Sequence, residues 1–513
     1  MRRSPTAFVA IALLTIATGS CGGDSVGDGA IGLPDGSITV ATNPDGSAPG
    51  TPRPDTSATF GWAPFGDDDS GVELGSIEVP IDYDDPTAGT FDLFIARHLA
   101  TNPAERIGSL VVNPGGPGFG ASDWAILAAA NYGQALLERF DIVGWDPRGT
   151  GLSTPAIDCT DDYDRYFADV DITPDDEAER QTIIDLADEL QTNCAQRNAA
   201  ILRHVGTNDS ARDIDTIRQA LGEDQISYFG FSYGSELGAT WMTLFPDTVR
   251  AAVLDGAIDP NADLETATLE QAAGFEQSLT SFLAACSAND DCPFHNDGDA
   301  EGAFDRLMAD LDATPLPSDD GRPQVNLAVA LNATAQAMYT QRLWPVLEQA
   351  LADAQQGNGS GLLSLHDEYY VRRSDGTYPN VYEAFQTIAC MDRSDRSTVA
   401  QDEALAVRLH EVSPRLSPSA VGSYQCSFFP ASDDPRIPIT GAGAGPALVV
   451  GTTGDPATPL ASSQAMAAAL DDAVLLTVVS QQHTGYSAND CSIEVIDTFL
   501  VNLIRPTEGT RCD

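Results

Sequence analysis

The amino-acid sequence predicts an α/β fold: a mostly parallel central sheet flanked by helices, with a mainly helical cap inserted between two sheet strands. Three observations lead to this prediction. Short apolar segments alternate with helical patterns between residues 109 and 256. The alternation stops over about 262–440, where strand signals are few, and it resumes at Ala447. Strands that alternate with helices form parallel sheets covered on both faces.

The N-terminal segment precedes the predicted folded part. Residues 1–21 combine two arginines, an apolar run too short to span a bilayer, and small residues before Cys21, which predicts a signal peptide and export. The end of this segment resembles a bacterial lipobox, although Thr18 stands where an aliphatic residue is usual. We therefore expect a cell-envelope lipoprotein with a lipid on Cys21 or, alternatively, a secreted protein. The composition of residues 22–57, rich in Gly, Ser, Thr, Pro and Asp, predicts a flexible tether.

The predicted elements divide the rest of the chain into a core in two parts, 58–261 and 441–513, with the cap 262–440 between them. An antiparallel pair opens the core, and helices are expected at 122–139 and within 173–221. The strands are expected at 74–81, 91–97, 109–112, 140–145, 226–229, 251–256, 447–451 and 474–479. Because ligands bind at the carboxyl ends of such strands, a cap leaving from that edge would cover the site.

The charge balance excludes some classes of partner. The chain has 26 basic and 76 acidic residues, which gives a net charge of −50. Such a surface repels nucleic acid and anionic membranes, so we expect no nucleic-acid partner and membrane contact only through the N-terminal anchor. Because the acidic residues are spread along the chain, they favour a general adaptation of the surface over a specific cation site. The oligomeric state is not predicted.

The number of cysteines also favours export. Nine are present, and without Cys21 an even number, eight, remains, which in an exported chain suggests disulfide bonds. No Cys-x-x-Cys occurs, so a zinc or redox site is disfavoured and no metal is predicted. Many pairings are combinatorially open, but the cysteines occur as neighbours along the sequence. We predict the pairs Cys159–Cys194, Cys286–Cys292, Cys390–Cys426 and Cys491–Cys512.

The pentapeptide Gly230-Phe231-Ser232-Tyr233-Gly234 is the strongest functional motif. A buried-strand pattern leads into it and a helical pattern leaves it, which is the context of a nucleophile elbow. The sharp turn exposes the serine hydroxyl, a poor nucleophile on its own, to a base, and the two glycines relieve crowding. Since chance also produces such pentapeptides, the rest of the chain must supply a base, an acid and an oxyanion site.

The order of residues in elbow-type hydrolases is serine, acid, histidine. Of the six histidines, only His483 lies beyond the last predicted sheet strand, where a loop can bring its imidazole to Ser232. Asp455 ends the preceding strand and is expected to accept the other imidazole N–H, which fixes the tautomer. Asp471 and Asp472 belong at the far end of the last strand. The alternative role for Asp455 is that of a turn residue before proline.

The glycine-rich loop 113–118 is expected to supply an oxyanion donor. Its two prolines have no N–H, and among its three glycines Gly116 is the first choice. The second donor is the N–H of Tyr233, directly after the nucleophile at a helix N-terminus. No Walker lysine follows the loop, which disfavours phosphate binding. Arg148, in a nearby loop, is interpreted as structural, with a substrate contact as the alternative.

Segments 113–118, 144–151 and 230–234 resemble those of the α/β-hydrolase-fold tripeptidyl aminopeptidases and proline iminopeptidases. Segments at 253–260, 389–392 and 454–459 extend the resemblance, which covers about residues 60 to 505. It implies an α/β-hydrolase fold with a C-terminal region of the tripeptidyl aminopeptidase type. It also implies a serine exopeptidase without a cofactor, which releases tripeptides or similar short peptides from free N-termini through an acyl-enzyme.

Two competing functions remain open at this stage. Relatives include esterases of the cell envelope, so a carboxylesterase acting on acyl esters is the alternative enzyme. A binding protein on an inactive hydrolase fold would lack a member of the triad, and none is missing.

An aminopeptidase must also hold the substrate ammonium, usually through carboxylates of the cap. The cap has many acids, Glu368, Glu383 and Asp392 among them, and the sequence singles out none.

Overall fold

The computed structural model describes residues 51–66, 70–318, 321–419 and 424–513. The predicted signal peptide 1–21, its Cys21, and the first part of the predicted tether, residues 22–50, lie outside the described residues. Among the described helices, none combines the length and the apolar character that a membrane span requires.

A ten-stranded sheet forms the centre of the described chain. Its strands are β1 Ala63–Pro64, β2 Val72–Pro80, β3 Thr90–His98, β4 Gly108–Asn113, β5 Phe140–Trp145, β6 Ile226–Phe231, β7 Val249–Asp255, β8 Ala447–Thr452, β9 Ala473–Val478 and β10 Arg511–Cys512. They pair in the order β1-β2-β3-β5-β4-β6-β7-β8-β9-β10. The first three pairings are antiparallel and the other six are parallel. The predicted mostly parallel sheet with an antiparallel opening pair is confirmed.

Alternate residues of the central strands pack on opposite faces of the sheet. Val111 and Tyr228 belong to the apolar cluster on one face, and their strand neighbours Leu110 and Phe229 belong to the cluster on the other. Every residue of β4, β6 and β8 is buried. Helices on both faces therefore cover these strands, which is why the sequence shows them as continuous apolar runs.

Helices surround this sheet and fill the interval between β7 and β8. They are α1 Ser57–Phe60, α2 Ser122–Ile126, α3 Ala128–Asn131, α4 Gln134–Arg139, α5 Tyr163–Phe167, α6 Glu177–Arg197, α7 Thr207–Leu221, α8 Tyr233–Leu244, α9 Leu264–Ala288, α10 Ala300–Ala313, α11 Leu327–Met338, α12 Trp344–Gln355, α13 Ser360–Tyr369, α14 Val381–Met391, α15 Val399–Val412, α16 Leu460–Ala469 and α17 Asp490–Asn502. The single helix predicted at 122–139 is wrong. Leu127 leaves the helical conformation and Gly133 is extended, so three short helices occupy this segment.

The cap consists of α9 to α15 and has an apolar cluster of its own, which includes Phe282, Phe304 and Leu331. The segment after β5 also packs against the cap. Asn326 Nδ2 donates a hydrogen bond to the carbonyl of Ala168 (2.8 Å), and Gln191 Nε2 donates to the carbonyl of Tyr424 (2.6 Å). The covering layer over the sheet edge therefore comes from two parts of the chain, residues 163–197 and the insertion after β7.

Four disulfide bonds have the predicted pairing. They are Cys159–Cys194, Cys286–Cys292, Cys390–Cys426 and Cys491–Cys512. The first closes the segment that ends in α6, and the third joins α14 to the chain after residue 423. The last joins α17 to the edge strand β10. Each closes a loop and thereby restricts the unfolded chain.

Residues 51–57, the end of the predicted tether, pack against the core. Arg53 donates two hydrogen bonds to the buried carboxylate of Asp141, at 2.6 and 2.5 Å. The main-chain N–H of Thr51 donates to the carbonyl of Arg106 (2.6 Å). Packing therefore begins before the predicted boundary at residue 58, because a buried carboxylate requires cationic partners.

Arg148 is completely buried and does not line the cleft that contains Ser232. Its Nε and Nη2 donate to the two carboxylate oxygens of Asp213 at 2.8 and 2.6 Å. Its Nη1 donates to the carbonyls of Ile81 (2.9 Å) and His204 (2.8 Å). These contacts tie the loop after β5 to α7 and to the end of the opening strand pair. The structural interpretation of Arg148 is confirmed.

We expect Arg148→Met to lower the free energy of unfolding by about 3–5 kcal/mol, because it leaves the Asp213 carboxylate buried without its cation. Urea denaturation followed by circular dichroism measures the change. The matched control is Arg165→Met, which breaks a solvent-exposed pair with Glu189 and should cost less than about 1 kcal/mol. Equal losses in the two variants would contradict this account of Arg148.

Candidate active site

A cleft of about 170 Å³ opens where the cap meets the carboxyl ends of the sheet strands. Ser232 and Tyr233 line it from the elbow, and Gly116 and Pro117 line it from the loop after β4. The remaining walls come from the core, the cap and the segment before β8: Glu236, Ile258, Asp259, Ala262, Leu264, Ala267, Glu270, Gln271, Phe385, Ala389, Asp392, Arg393, Arg436, Ala457, Thr458, Pro459 and Ser462. The predicted nucleophile thus faces a site bounded by both parts of the molecule.

Ser232 occupies the turn between β6 and α8. Its φ of 55° and ψ of −124° are unusual for a residue with a side chain, and such strain is typical of functional sites. Its main-chain N–H donates to the carbonyl of Asp255 (2.8 Å), which fixes the turn to β7. A Cβ on Gly230 would overlap the carbonyl of Gly234, and one on Gly234 would overlap the carbonyl of Asn113. Both positions therefore require glycine.

Asp455 and His483 form a tight pair in the loops after β8 and β9. The imidazole Nδ1 lies 2.9 Å from Asp455 Oδ1 and 3.0 Å from Oδ2. Oδ1 also accepts the main-chain N–H groups of Ala457 (3.0 Å) and Thr458 (2.9 Å). Oδ2 accepts the N–H of Thr484 (3.1 Å). The carboxylate is therefore fixed from two loops and oriented toward the imidazole.

The pKa of His483 lies above its ordinary value. Burial lowers this pKa, but the charge of Asp455 and its hydrogen bond to the imidazole outweigh the effect of burial. The main-chain N–H of His483 donates to the carbonyl of Tyr339 (2.8 Å), and the ring of Tyr339 packs edge-on against the imidazole at 5.6 Å between centroids. The cap therefore contacts the histidine directly.

Asp255 holds the histidine loop from the core side. It lies at the end of β7, and its oxygens accept the N–H groups of Gly485 (2.7 Å) and Tyr486 (2.8 Å). Burial raises the pKa of Asp255 to about 7, although the two N–H groups favour the ionised form. The sequence indicated no role for Asp255, although it lies near the end of the predicted strand 251–256. Its position at a carboxyl strand end was the available signal.

Ser232 and His483 both approach the residue that follows β7. A Cβ placed on Gly256 would lie 3.3 Å from His483 Cε1, and Gly256 directly follows Asp255, whose carbonyl accepts the Ser232 N–H. No hydrogen bond joins Ser232 Oγ to another group in the described part of the chain. Catalytic hydrogen bonds of this kind often close only when the substrate is bound.

The oxyanion prediction can be compared with the N–H groups near Ser232. The N–H of Gly115 already donates to Asn113 Oδ1 (2.9 Å), and Gly118 packs against the cap at Val381. Gly116 and Tyr233 line the cleft, and within the described ranges neither N–H has an acceptor. These two N–H groups are therefore available to a bound oxygen atom.

The side chain of Tyr233 is anchored below the cleft. Its hydroxyl contacts Thr207 Oγ1 (2.5 Å), and Thr207 donates from both Oγ1 and N to the carboxylate of Asp392 (2.6 Å each). Burial raises the pKa of Asp392 to about 7. Asp392 thus lines the cleft and also supports the residue after the nucleophile. The sequence contained no signal for Thr207 and indicated no specific role for Asp392.

The other two acids of the cap that the sequence offered as candidates, Glu383 and Glu368, do not line the cleft. Glu383 accepts the main-chain N–H of Cys159, and Glu368 is exposed on α13. Three further charged residues of the cleft, Asp259, Glu270 and Arg393, come from separate segments, and no spacing in the sequence indicated that they meet. Across the ranges that the structure describes, no three His, Cys, Asp or Glu side chains form a cluster suited to a metal ion.

Comparison with known proteins adds independent findings. The sequence-family model described as alpha/beta hydrolase fold matches residues 108–332. The sequence-family model described as TAP-like protein matches residues 414–512. The chain is 34% identical over 466 residues to serine protease Hip1 of Mycobacterium tuberculosis, covering 86% of this chain and 87% of that protein. It is 36% identical over 456 residues to carboxylesterase B of the same species, covering 86% of each. It is 28% identical over 445 residues to tripeptidyl aminopeptidase of Streptomyces lividans, covering 84% of this chain and 81% of that protein.

Proposed function

Because the chain belongs to the α/β-hydrolase family of serine peptidases that carry a TAP-like C-terminal region, we propose that it is an exported exopeptidase. It releases tripeptides or similar short peptides from free N-termini. The observation that carries the proposal is the elbow serine at the end of β6, which shares the carboxyl edge of the sheet with the Asp455–His483 pair and lines a cleft between the core and the cap.

The proposed reaction uses two acyl-transfer steps. Ser232 Oγ attacks the scissile carbonyl carbon while His483 Nε2 takes its proton, and His483 then returns that proton to the leaving amine as the C–N bond breaks. The N–H groups of Gly116 and Tyr233 stabilise the tetrahedral oxyanion. Asp455 keeps the proton on Nδ1 and stabilises the imidazolium. Water, deprotonated by His483, then cleaves the acyl-enzyme and restores the serine hydroxyl.

Two acidic residues of the cleft support recognition of a free amine. Asp259 and Glu270 both line the cleft, and burial together with the charge of Asp259 raises the pKa of Glu270. In the described chain, neither carboxylate has a Lys, Arg or His partner. A cationic group bound near both carboxylates would offset the repulsion between their negative charges. The ammonium of a peptide N-terminus has the required charge.

We expect Glu270→Gln to raise KM for a tripeptidyl anilide with a free N-terminus by about tenfold or more, since hydrogen bonds to charged groups contribute about 1.5–3 kcal/mol. The value of kcat should change little, because the ammonium does not react. The control is Glu368→Gln, which removes an exposed acid of the cap outside the cleft. The aminopeptidase proposal fails if acetylation of the substrate amine leaves wild-type turnover unchanged.

The alternative function is that of a carboxylesterase, which the similarity to carboxylesterase B favours. The same serine, histidine and oxyanion donors would act on an acyl ester. Steady-state kinetics with tripeptidyl anilides and with short acyl esters distinguish the two functions. Turnover of the esters alone would favour the esterase.

We also propose that the enzyme is exported through residues 1–21 and held at the cell envelope by a lipid on Cys21. The four disulfide bonds support an oxidising location. Fractionation of cells that express wild type or Cys21→Ser tests this. Release of wild type and variant into the medium in equal amounts would exclude the anchor.

A further inference from the structure

Arg393 places a positive charge in the cleft that the proposed reaction does not use. It directly follows Asp392 after the end of α14, is partly buried, and lines the same cleft as Ser232. The other arginine of the cleft, Arg436, forms an ion pair with Glu236. Within the described residues, the guanidinium of Arg393 has no ion pair and donates no hydrogen bond. It is therefore the cation of the cleft that lacks a partner in the described chain.

The groups around Arg393 leave its guanidinium without an ion pair. The charges that act on it or respond to it belong to Arg436, Glu236, Asp395, Asp392 and Asp263. Arg436 and Glu236 offset each other, and Asp395 and Asp263 are exposed to solvent. Asp392 already accepts two hydrogen bonds from Thr207, and burial raises its pKa to about 7. Desolvation of an arginine is costly unless an anion accompanies it, so a ligand anion would stabilise this arrangement.

The cleft carries charges of both signs. Asp259 is the charge that acts on Glu270, and neither of them is among the main charges that act on Arg393. The cleft thus presents the carboxylates of Asp259 and Glu270 together with the guanidinium of Arg393, with Ser232 in the same space. A ligand that matches both charges carries an ammonium and a carboxylate.

We propose that Arg393 binds a carboxylate of the substrate, so that the enzyme prefers peptides with an acidic group near the scissile bond. The planar guanidinium donates two parallel hydrogen bonds to a carboxylate, a geometry that lysine lacks. The carboxylate comes from an Asp or Glu side chain or from the C-terminus of a short peptide. The peptide nature of the substrate rests on the function proposed above; the preference for an anion rests on Arg393 alone.

The test compares substrates that differ only in this charge. Tripeptidyl anilides carry Glu or the isosteric Gln at each of the three positions, and a tetrapeptide is offered as the free acid and as the C-terminal amide. We expect wild-type kcat/KM to favour the charged member of one pair by about tenfold or more. A preference within an anilide pair identifies the side chain, and a preference for the free acid identifies the C-terminus.

Variants assign the preference to Arg393. Arg393→Gln should abolish it while changing kcat/KM for the neutral member by less than about twofold. Arg393→Glu should reverse it, so that a Lys-containing anilide becomes the better substrate. The matched control is Arg306→Gln, which removes an exposed arginine of the cap outside the cleft and should leave the preference unchanged. The unchanged neutral substrate also demonstrates that the variants are folded.

Two results would overturn the proposal. One is a wild-type enzyme with equal kcat/KM for both members of every pair. The other is an Arg393→Gln variant that loses activity equally on charged and neutral substrates, which would indicate a structural role. The exopeptidase function is tested separately, by turnover of anilides with an acetylated amine and by turnover of acyl esters. A pair of esters that end in a carboxylate or in its amide then tests Arg393 in the same way.

Discussion

Ser232→Ala should lower kcat by about a million-fold and leave the fold unchanged. The estimate follows the effect of removing the nucleophile from a serine peptidase triad. The fold should tolerate the change because the hydroxyl makes no hydrogen bond in the described chain, while the main-chain N–H that fixes the turn remains. Steady-state hydrolysis of a tripeptidyl anilide measures kcat, and a fluorophosphonate probe reports the reactive serine.

The cleft offers a matched control for this prediction. Ser462 lines the same space as Ser232 and is equally small, but it lies near the start of α16 in ordinary helical conformation. Ser462→Ala should retain activity within about tenfold and should react with the probe as wild type does. Labelling of Ser232→Ala at the wild-type level would contradict the assignment of the nucleophile. A wild-type enzyme that the probe does not label would favour the inactive binding protein.

The parts of the site that follow from strand order were predictable from the sequence. In a parallel sheet the carboxyl ends of the strands share one edge, so residues that end strands meet whatever their distance along the chain. Ser232 and Asp455 follow fully buried strands and His483 follows the partly buried β9, and the structure brings their loops to that edge. The resemblance to the peptidase family is confirmed by the family models and by the relatives.

The parts that depend on how the cap packs were not predictable. Asp259, Glu270 and Arg393 share the cleft only because the cap helices α9 and α14, which carry or adjoin these residues, fold back over the sheet edge. Helix α6 joins the covering layer, but its sequence is acid-rich and few of its positions are buried, so its periodicity gave no signal. The contact of Arg53 with the core was also not predictable, because its partner Asp141 lies 88 residues away. Composition alone assigned the segment of Arg53 to the tether.

Asp455→Asn should lower kcat by about ten-thousand-fold, the second largest effect that we expect. The carboxylate accepts hydrogen bonds from three main-chain N–H groups and from the imidazole Nδ1–H, so both of its oxygens act only as acceptors. An asparagine amide can present its oxygen to one side only. If its NH2 faces the imidazole, the proton moves to Nε2, and His483 can no longer take the proton of Ser232. If its NH2 faces the main-chain donors, the loop that carries Asp455 is disturbed.

The pH dependence gives Asp455→Asn a second readout. Neutral His483 is the active base, so kcat/KM falls as pH drops through its pKa. In wild type, Asp455 raises that pKa above the ordinary value, so the acid limb of the profile lies at correspondingly higher pH. Removing the carboxylate charge should move the limb of the residual activity to lower pH. A profile that does not move would contradict the pairing.

The matched control for Asp455→Asn is Asp255→Asn. Asp255 is equally buried and also accepts two main-chain N–H groups of the histidine loop, but it makes no hydrogen bond to the imidazole. An asparagine there still accepts one of these N–H groups, so the loop loses a single hydrogen bond, at about 1 kcal/mol. We therefore expect its kcat to exceed that of Asp455→Asn by at least about a hundredfold. Equal losses would mean that loop position, rather than control of the imidazole tautomer, limits the reaction.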